Sequence, residues 1–300
     1  MVVRVWTQPE RVISRIDPTA FAECLSVFGN TLVDDLKGKL VSIDGKRIRG
    51  SKSSNSCTHI LSAWVDEHTI SIAGKAVEEK SNEITAIPDV LDSIDLTGAV
   101  VSIDAMGTQT DIAQMIVESE ADYVLALKRN HRHLSEDVKD AFTGRYTQFI
   151  YSTLDKDYGR VEERIYTALR PQEVLDESQY EPWKNLSSLV QVERLVTFSD
   201  GTERRDKQYY LSSLPAEAVE RIGTYIRGHW GIENRLHWHL DVTFREDHCR
   251  ARKVYAAQNL NTIRKLALAI VSQRKDKLSI RKRLFTAALN IDYLKELLKI

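Results

Sequence analysis

Cysteine is scarce in this chain. Three occur in 300 residues, Cys24, Cys57 and Cys249, and none belongs to a Cys-x-x-Cys pair. That excludes a disulfide framework and suits a reducing cytosol. Proline (6) and glycine (13) are also few, while charged residues reach 28%, a balance that excludes collagen-like and low-complexity chains. No apolar run approaches the roughly 18 residues of a membrane span. The opening MVVRVWTQPERV has no apolar stretch of the kind a secretory leader carries. Walker-type loops, dinucleotide fingerprints and Gly-x-Ser-x-Gly elbows are missing too, so no nucleotide cofactor and no serine hydrolase chemistry is expected. What the chain does contain is 42% hydrophobic residues, enough to pack one large domain or two small ones.

The formal net charge of −1 hides an asymmetry. Between Arg245 and Arg283 there are twelve Lys or Arg against three acids, a net of +9, which leaves −10 for the remainder. A basic C-terminal region beside an acidic body suggests a nucleic-acid partner. A solvated helical face would give the same count.

Two short apolar runs end in aspartate. Leu40–Ile43 leads into Asp44, and Val100–Ile103 leads into Asp104. Each has the length and β-branched content of a buried strand. A carboxylate at a strand end is fixed by the sheet yet reaches water, which suits a ligand for a hard divalent cation. Around them the pattern predicts a helix over 15–36 with Pro18 at its first turn, a strand at 39–44, and a hairpin of 59–65 and 69–77. A helix over 83–93 capped by Ser81, a strand at 99–104, a helix over 109–119 opened by a Thr108/Asp111 capping box, and a strand at 123–127 follow. Three meandering strands and then helix-linked parallel ones is the ribonuclease H-like order. In that order the first and fourth strands are neighbours, and Asp44 and Asp104 lie side by side. A helix is expected over 131–142, a mainly β stretch over 148–213, a long helix from Pro215 to about 239, and helix again over 255–299.

The helix from 215 contains YIRGHWGIENRLHWHL, with two of the five tryptophans of the chain. At helical spacing Trp230, Glu233, Asn234 and His237 share a face. Glu233 on such a face reads as a third ligand, or as a buried acid paired with Arg227 or Arg235. Two aspartates and one glutamate hold two magnesium ions in phosphodiester chemistry, one at the attacking and one at the leaving oxygen. A zinc site from His229, His237, His239, His248 and Cys249 is disfavoured. His237 and His239 are two apart, and His248-Cys249 lacks a partner at zinc spacing.

The segments VSIDGKRIRGS (41–51), VEEKSNEITAIPDVLDSIDLTGAVVSIDAMGTQ (77–109), ADYVLALKRNH (121–131), YGRVEER (158–164) and HWGIENRLHWHLDVTFRED (229–247) occur in that order, followed by ARKVYAAQNLNTIRKLAL (251–268). Together they resemble the H-repeat-associated, ISAs-type insertion-sequence DDE transposases over roughly 10–298. The resemblance implies an α/β, ribonuclease H-like catalytic core (39–147 and 214–250) with a β-rich insertion (148–213) before the catalytic helix. A residual N-terminal helical segment (1–38) and a basic helical C-terminal region (251–300) complete the expected domains. It implies metal-dependent cleavage and strand transfer in DNA transposition, with Asp44, Asp104 and Glu233 as catalytic triad and ligands of magnesium or manganese. It further implies DNA as partner, both transposon ends and target, a homodimer, no membrane association, and a cytoplasmic, nucleoid-associated location.

Lys46, Arg47, Arg49, Lys128, Arg129, Arg227, Arg235 and His237 are the expected DNA-binding residues, an ordinary basic turn being the alternative for 46–49. The chain also departs from the family pattern. The family's further N-terminal segment, which would lie upstream of 11–18, is expected to be missing, the Gly-His-Gly-Arg pattern reads Asp157-Tyr158-Gly159-Arg160, and Gly-Asn-Gln reads Arg129-Asn130-His131. The Tyr-Arg-Glu-Lys signature is partial, with Tyr225 and Arg227 out of register. An N-terminally truncated remnant that binds DNA without transposing is the alternative expectation.

Overall fold

A computed structural model describes residues 11–33, 35–52, 57–77, 83–157 and 159–299. The expected Ser81 cap and the replaced histidine at Tyr158 lie outside the described residues. The fold is mixed α/β, and the chain divides into two compact units. The first is formed by residues 1–36, 41–95 and 230–300, the second by 37–40 and 96–229.

In the first unit β1 (Leu40–Arg47), β2 (His59–Val65) and β3 (Ile70–Val77) form an antiparallel meander, in register Asp44↔Ser62 and Ser62↔Gly74. β1 runs three residues past Asp44, so that aspartate lies within the strand and not at its end. The apolar half, Leu40–Ile43, is buried, and the polar half opens progressively to Arg47. α1 (Pro18–Asn30) is shorter than the pattern predicts, and α2 (Glu83–Asp92) buries Ala86, Ile87, Val90 and Leu91. The expected 255–299 helix is three: α6 (Ala256–Ser272), α7 (Ile280–Leu289) and α8 (Ile291–Leu298). Ser279 and Asn290 interrupt it because each side chain caps the next helix, accepting from Lys282 N–H and from Asp292 and Tyr293 N–H. Trp64 packs with Ile232, Leu236, Leu240 and Leu268 in the core of this unit.

Gly50, just past β1, lies against backbone carbonyls of the 246–249 turn; a β-carbon there would meet Glu246 O at 2.8 Å and would also clash with Cys249 O. Backbone cannot swing aside as a side chain end can. Gly50→Ala is expected to cost about 1–3 kcal/mol, read as a lower urea midpoint at unchanged m-value. An unchanged midpoint would contradict the close approach.

In the second unit β4 (Val100–Ile103) pairs parallel with β5 (Asp122–Leu127) through α3 (Thr110–Glu118). β5 then pairs antiparallel with β9 (Glu203–Ser212), followed in space by β8 (Ser188–Phe198), β7 (Arg160–Leu169) and β6 (Phe149–Asp157). The expected capping box does not form. The cap of α3 is Gln109 without a side-chain bond, and Thr108 Oγ1 instead donates to Ala126 O at 2.7 Å. α4 (Arg132–Ala141) follows β5, and α5 (Val219–Gly231) buries Val219, Ile222, Gly223, Tyr225 and Ile226. Within β7, buried Glu162 accepts from Arg194 Nε and Nη2 at 2.8 and 2.9 Å and also pairs with Arg164.

Candidate active site

The long helix expected from Pro215 changes character where the candidate glutamate stands. After α5 the chain continues as π-helical turns, Ile232–His237 and His239–Thr243. The π-helix bonds residue i to i+5 and turns more widely than an α-helix. Three stripes result. Ile232, Leu236 and Leu240 are buried, while Trp230, Asn234 and Trp238 are exposed. Glu233, His237 and Asp241 form the third, and Glu233 is exposed as Trp230 and Asn234 are. Single π turns inside helices occur often at functional sites.

Two members of the third stripe meet β1. Side chains two apart on a strand point the same way, and Asp44 and Lys46 are such a pair. Asp44 Oδ1 accepts from Gly45 N–H at 2.8 Å, and Oδ2 is 3.5 Å from His237 Nδ1, with 20% and 14% of the two side chains exposed. Lys46 Nζ donates to Asp241 Oδ1 at 2.6 Å, with only 10% of the lysine side chain exposed. Glu233 is exposed and lies one turn before His237. Asp241 carried no sequence signal, since its partner is 195 positions away.

In the second unit Asp104 follows β4 and caps a tight turn over Ala105–Gly107. Its Oδ1 accepts from Met106 N–H at 3.1 Å and from Gly107 N–H at 3.4 Å. Residues after β5 brace this loop. Asn130 Nδ2 donates to Ala105 O, and His131 Nε2 lies 2.6 Å from Thr108 O. The departure from Gly-Asn-Gln thus still gives side chains that hold the loop of Asp104. Ser102 on β4 lies 2.7 Å from His229 Nδ1. Burial, with a smaller push from the charge of Lys128, lowers His229 to about 4.

His229 therefore favours its neutral form in the fold. Its contribution to stability is full above the ordinary value near 6.5 and is lost as pH falls toward 4. Thermal unfolding between pH 7 and 4 is expected to show a steeper loss for the wild type than for His229→Gln. Parallel curves would refute this.

The expected DNA-binding cations separate into two groups. Arg47, Lys128, Arg129 and Arg227 are exposed. Arg49 lies 3.8 Å from Asp247, and Arg235 lies 3.3 Å from Asp66, which also accepts from Trp64 Nε1 at 3.2 Å. Of the zinc candidates, His239 Nδ1 is 2.9 Å from Thr243 Oγ1. Among the described residues no group of three or more His, Cys, Asp or Glu gathers closely enough to hold a metal ion, and no helix is long and apolar enough to cross a membrane.

The family described as "Transposase DDE domain" matches residues 35–270. The H repeat-associated transposase candidate YhhI of Escherichia coli K12 is 32% identical over 299 residues, covering 96% of this chain and 79% of its own. The transposase candidate YncI of Escherichia coli O157:H7 is 35% identical over 303 residues, covering 96% and 76%. Among solved structures, a piggyBac transposase synaptic complex with hairpin DNA aligns with a TM-score of 0.45 and 13% identity, over 88% of this chain and 55% of that one.

Proposed function

The chain belongs to the transposase DDE domain family, and from that membership we propose that it cleaves and joins DNA strands, with Asp44, Asp104 and Glu233 as the carboxylates that hold magnesium or manganese. The observation that carries this reading is the placement of Asp44 on β1 beside His237 of the π-helical segment that bears Glu233. In the same reading 39–147 and 214–250 form a ribonuclease H-like core, 148–213 its insertion, and 1–38 and 251–300 the flanking helical parts. The protein works on DNA ends and target as a homodimer in the bacterial cytoplasm, at the nucleoid.

The chemistry of these donors suits the ions. Three carboxylates offer hard oxygens, and backbone N–H groups orient two of them: Gly45 N–H holds Oδ1 of Asp44, and Met106 and Gly107 N–H hold Oδ1 of Asp104. Two divalent ions, when bound, supply activation of the attacking oxygen and charge relief at the leaving oxygen. The protein's part is to keep these carboxylates oriented. The exposed Arg47, Lys128, Arg129 and Arg227 supply phosphate contacts, which set affinity and salt dependence and not sequence choice.

The test is a nicking and strand-transfer assay on DNA carrying the element's terminal repeats. Products are expected with magnesium or manganese and none after EDTA. Cleavage that continues in EDTA would overturn the assignment.

A further inference from the structure

Lys46 follows the first aspartate by two residues and invites assignment as a phosphate contact. Its surroundings argue otherwise. It is the most enclosed of the basic side chains following Asp44, with 10% of its side chain exposed against 84% for Arg49. Its ammonium already lies 2.6 Å from an Asp241 carboxylate. A cation neutralised at that distance has little charge left to offer a phosphate.

The pair is also one rung of two. From Asp44 to Lys46 the strand advances about 6.6 Å. From His237 to Asp241 the segment advances four residues through its π-helical turns. Asp44 faces His237 while Lys46 faces Asp241. Sliding the helical segment by one turn along β1 would break both rungs. The π-helical turns put Glu233 on the same stripe, one turn before His237.

We propose that Lys46 and Asp241 are a positioning pair, a clasp that sets the register of the Glu233-bearing segment against β1 and so the placement of Glu233 relative to Asp44. The proposal rests on the DNA-cutting reading for its catalytic consequence, but not for the clasp itself.

A charge exchange tests it. Lys46→Met and Asp241→Ala are each expected to lower kcat for metal-dependent cleavage about a hundredfold, with KM for DNA little changed. Lys46→Asp combined with Asp241→Lys is expected to recover at least tenfold over either single exchange. The log–log salt slope of DNA binding should not change in Lys46→Met, whereas loss of a phosphate contact lowers it by about 0.9. A slope reduced by that amount, or a double exchange no better than the singles, overturns the proposal. Variants that lower thermal stability are compared in a double-mutant cycle on the unfolding midpoint; strictly additive effects there also overturn it. Wild-type protein that cuts no DNA with either metal counts against the cutting reading, while the cycle still decides the clasp.

Discussion

Asp104→Ala is expected to abolish metal-dependent DNA cleavage, with a rate loss of about a thousandfold or more. A bound divalent ion supplies several kcal/mol to a phosphodiester transition state, and each 1.36 kcal/mol is about tenfold. The alanine variant alone is ambiguous, because Asp104 also caps the Ala105–Gly107 turn. Losing a cap costs about 1 kcal/mol and loosens the loop. Asp104→Asn separates the two roles. Asparagine keeps an oxygen that accepts from Met106 and Gly107 N–H, so the turn survives. It loses the negative charge that a divalent ion needs. The expected outcome is a near-native melting temperature with the same collapse in rate. Asp44→Asn and Glu233→Gln are expected to behave alike. Wild-type cleavage by folded Asp104→Asn would remove this residue from the metal-binding set.

The strands around the aspartates were legible because they depend on short-range pattern. Leu40–Ile43 and Val100–Ile103 are apolar, β-branched and bounded by polar residues, and each forms a buried strand segment. The hairpin of β2 and β3 was legible for the same reason, its connector being the four polar residues 66–69. What failed depended on choices between competing partners. Thr108 has both a local capping option and the carbonyl of Ala126, and takes the carbonyl. The helix from 215 has a periodicity compatible with 3.6 or wider turns over a short span. Apolar residues at 232, 236 and 240 recur at an interval of four, and the structure satisfies it with π turns packed on Trp64. Lys46 looked like a free cation because Asp241 is remote in sequence. Asn130 and His131 registered only as departures from a pattern, although their side chains brace the loop of Asp104. In each case composition named the residue, and tertiary contact assigned its work.

Glu246→Ala is expected to be the most destabilising single change outside the candidate ligands. Glu246 has no exposed surface. Its Oε1 accepts from Arg264 Nη1 and from Asn261 Nδ2, both at 3.0 Å, and Asn261 also reaches Oε2 at 3.3 Å. These bonds fasten the turn after the π-helical segment to α6. Alanine would leave the Arg264 guanidinium, 13% exposed, without its carboxylate and Asn261 without its acceptor. Breaking a buried ion pair from one side costs about 3–5 kcal/mol, or roughly a 10 °C drop in Tm for a chain of this size. Arg264→Met strands the carboxylate instead and should cost a similar amount. Removing both, as Glu246→Leu with Arg264→Met, should cost clearly less than the sum, because the carboxylate and the guanidinium then leave together. Additive losses would show that the two residues do not act through each other. The same turn presents the carbonyls against which Gly50 packs, so its loosening should also reach β1 and Asp44. The cleavage rate of Glu246→Ala is therefore expected to fall at 37 °C and to recover substantially on cooling. A ligand variant such as Asp104→Asn should stay inactive at every temperature, which distinguishes a residue that holds the site together from one that holds the ion.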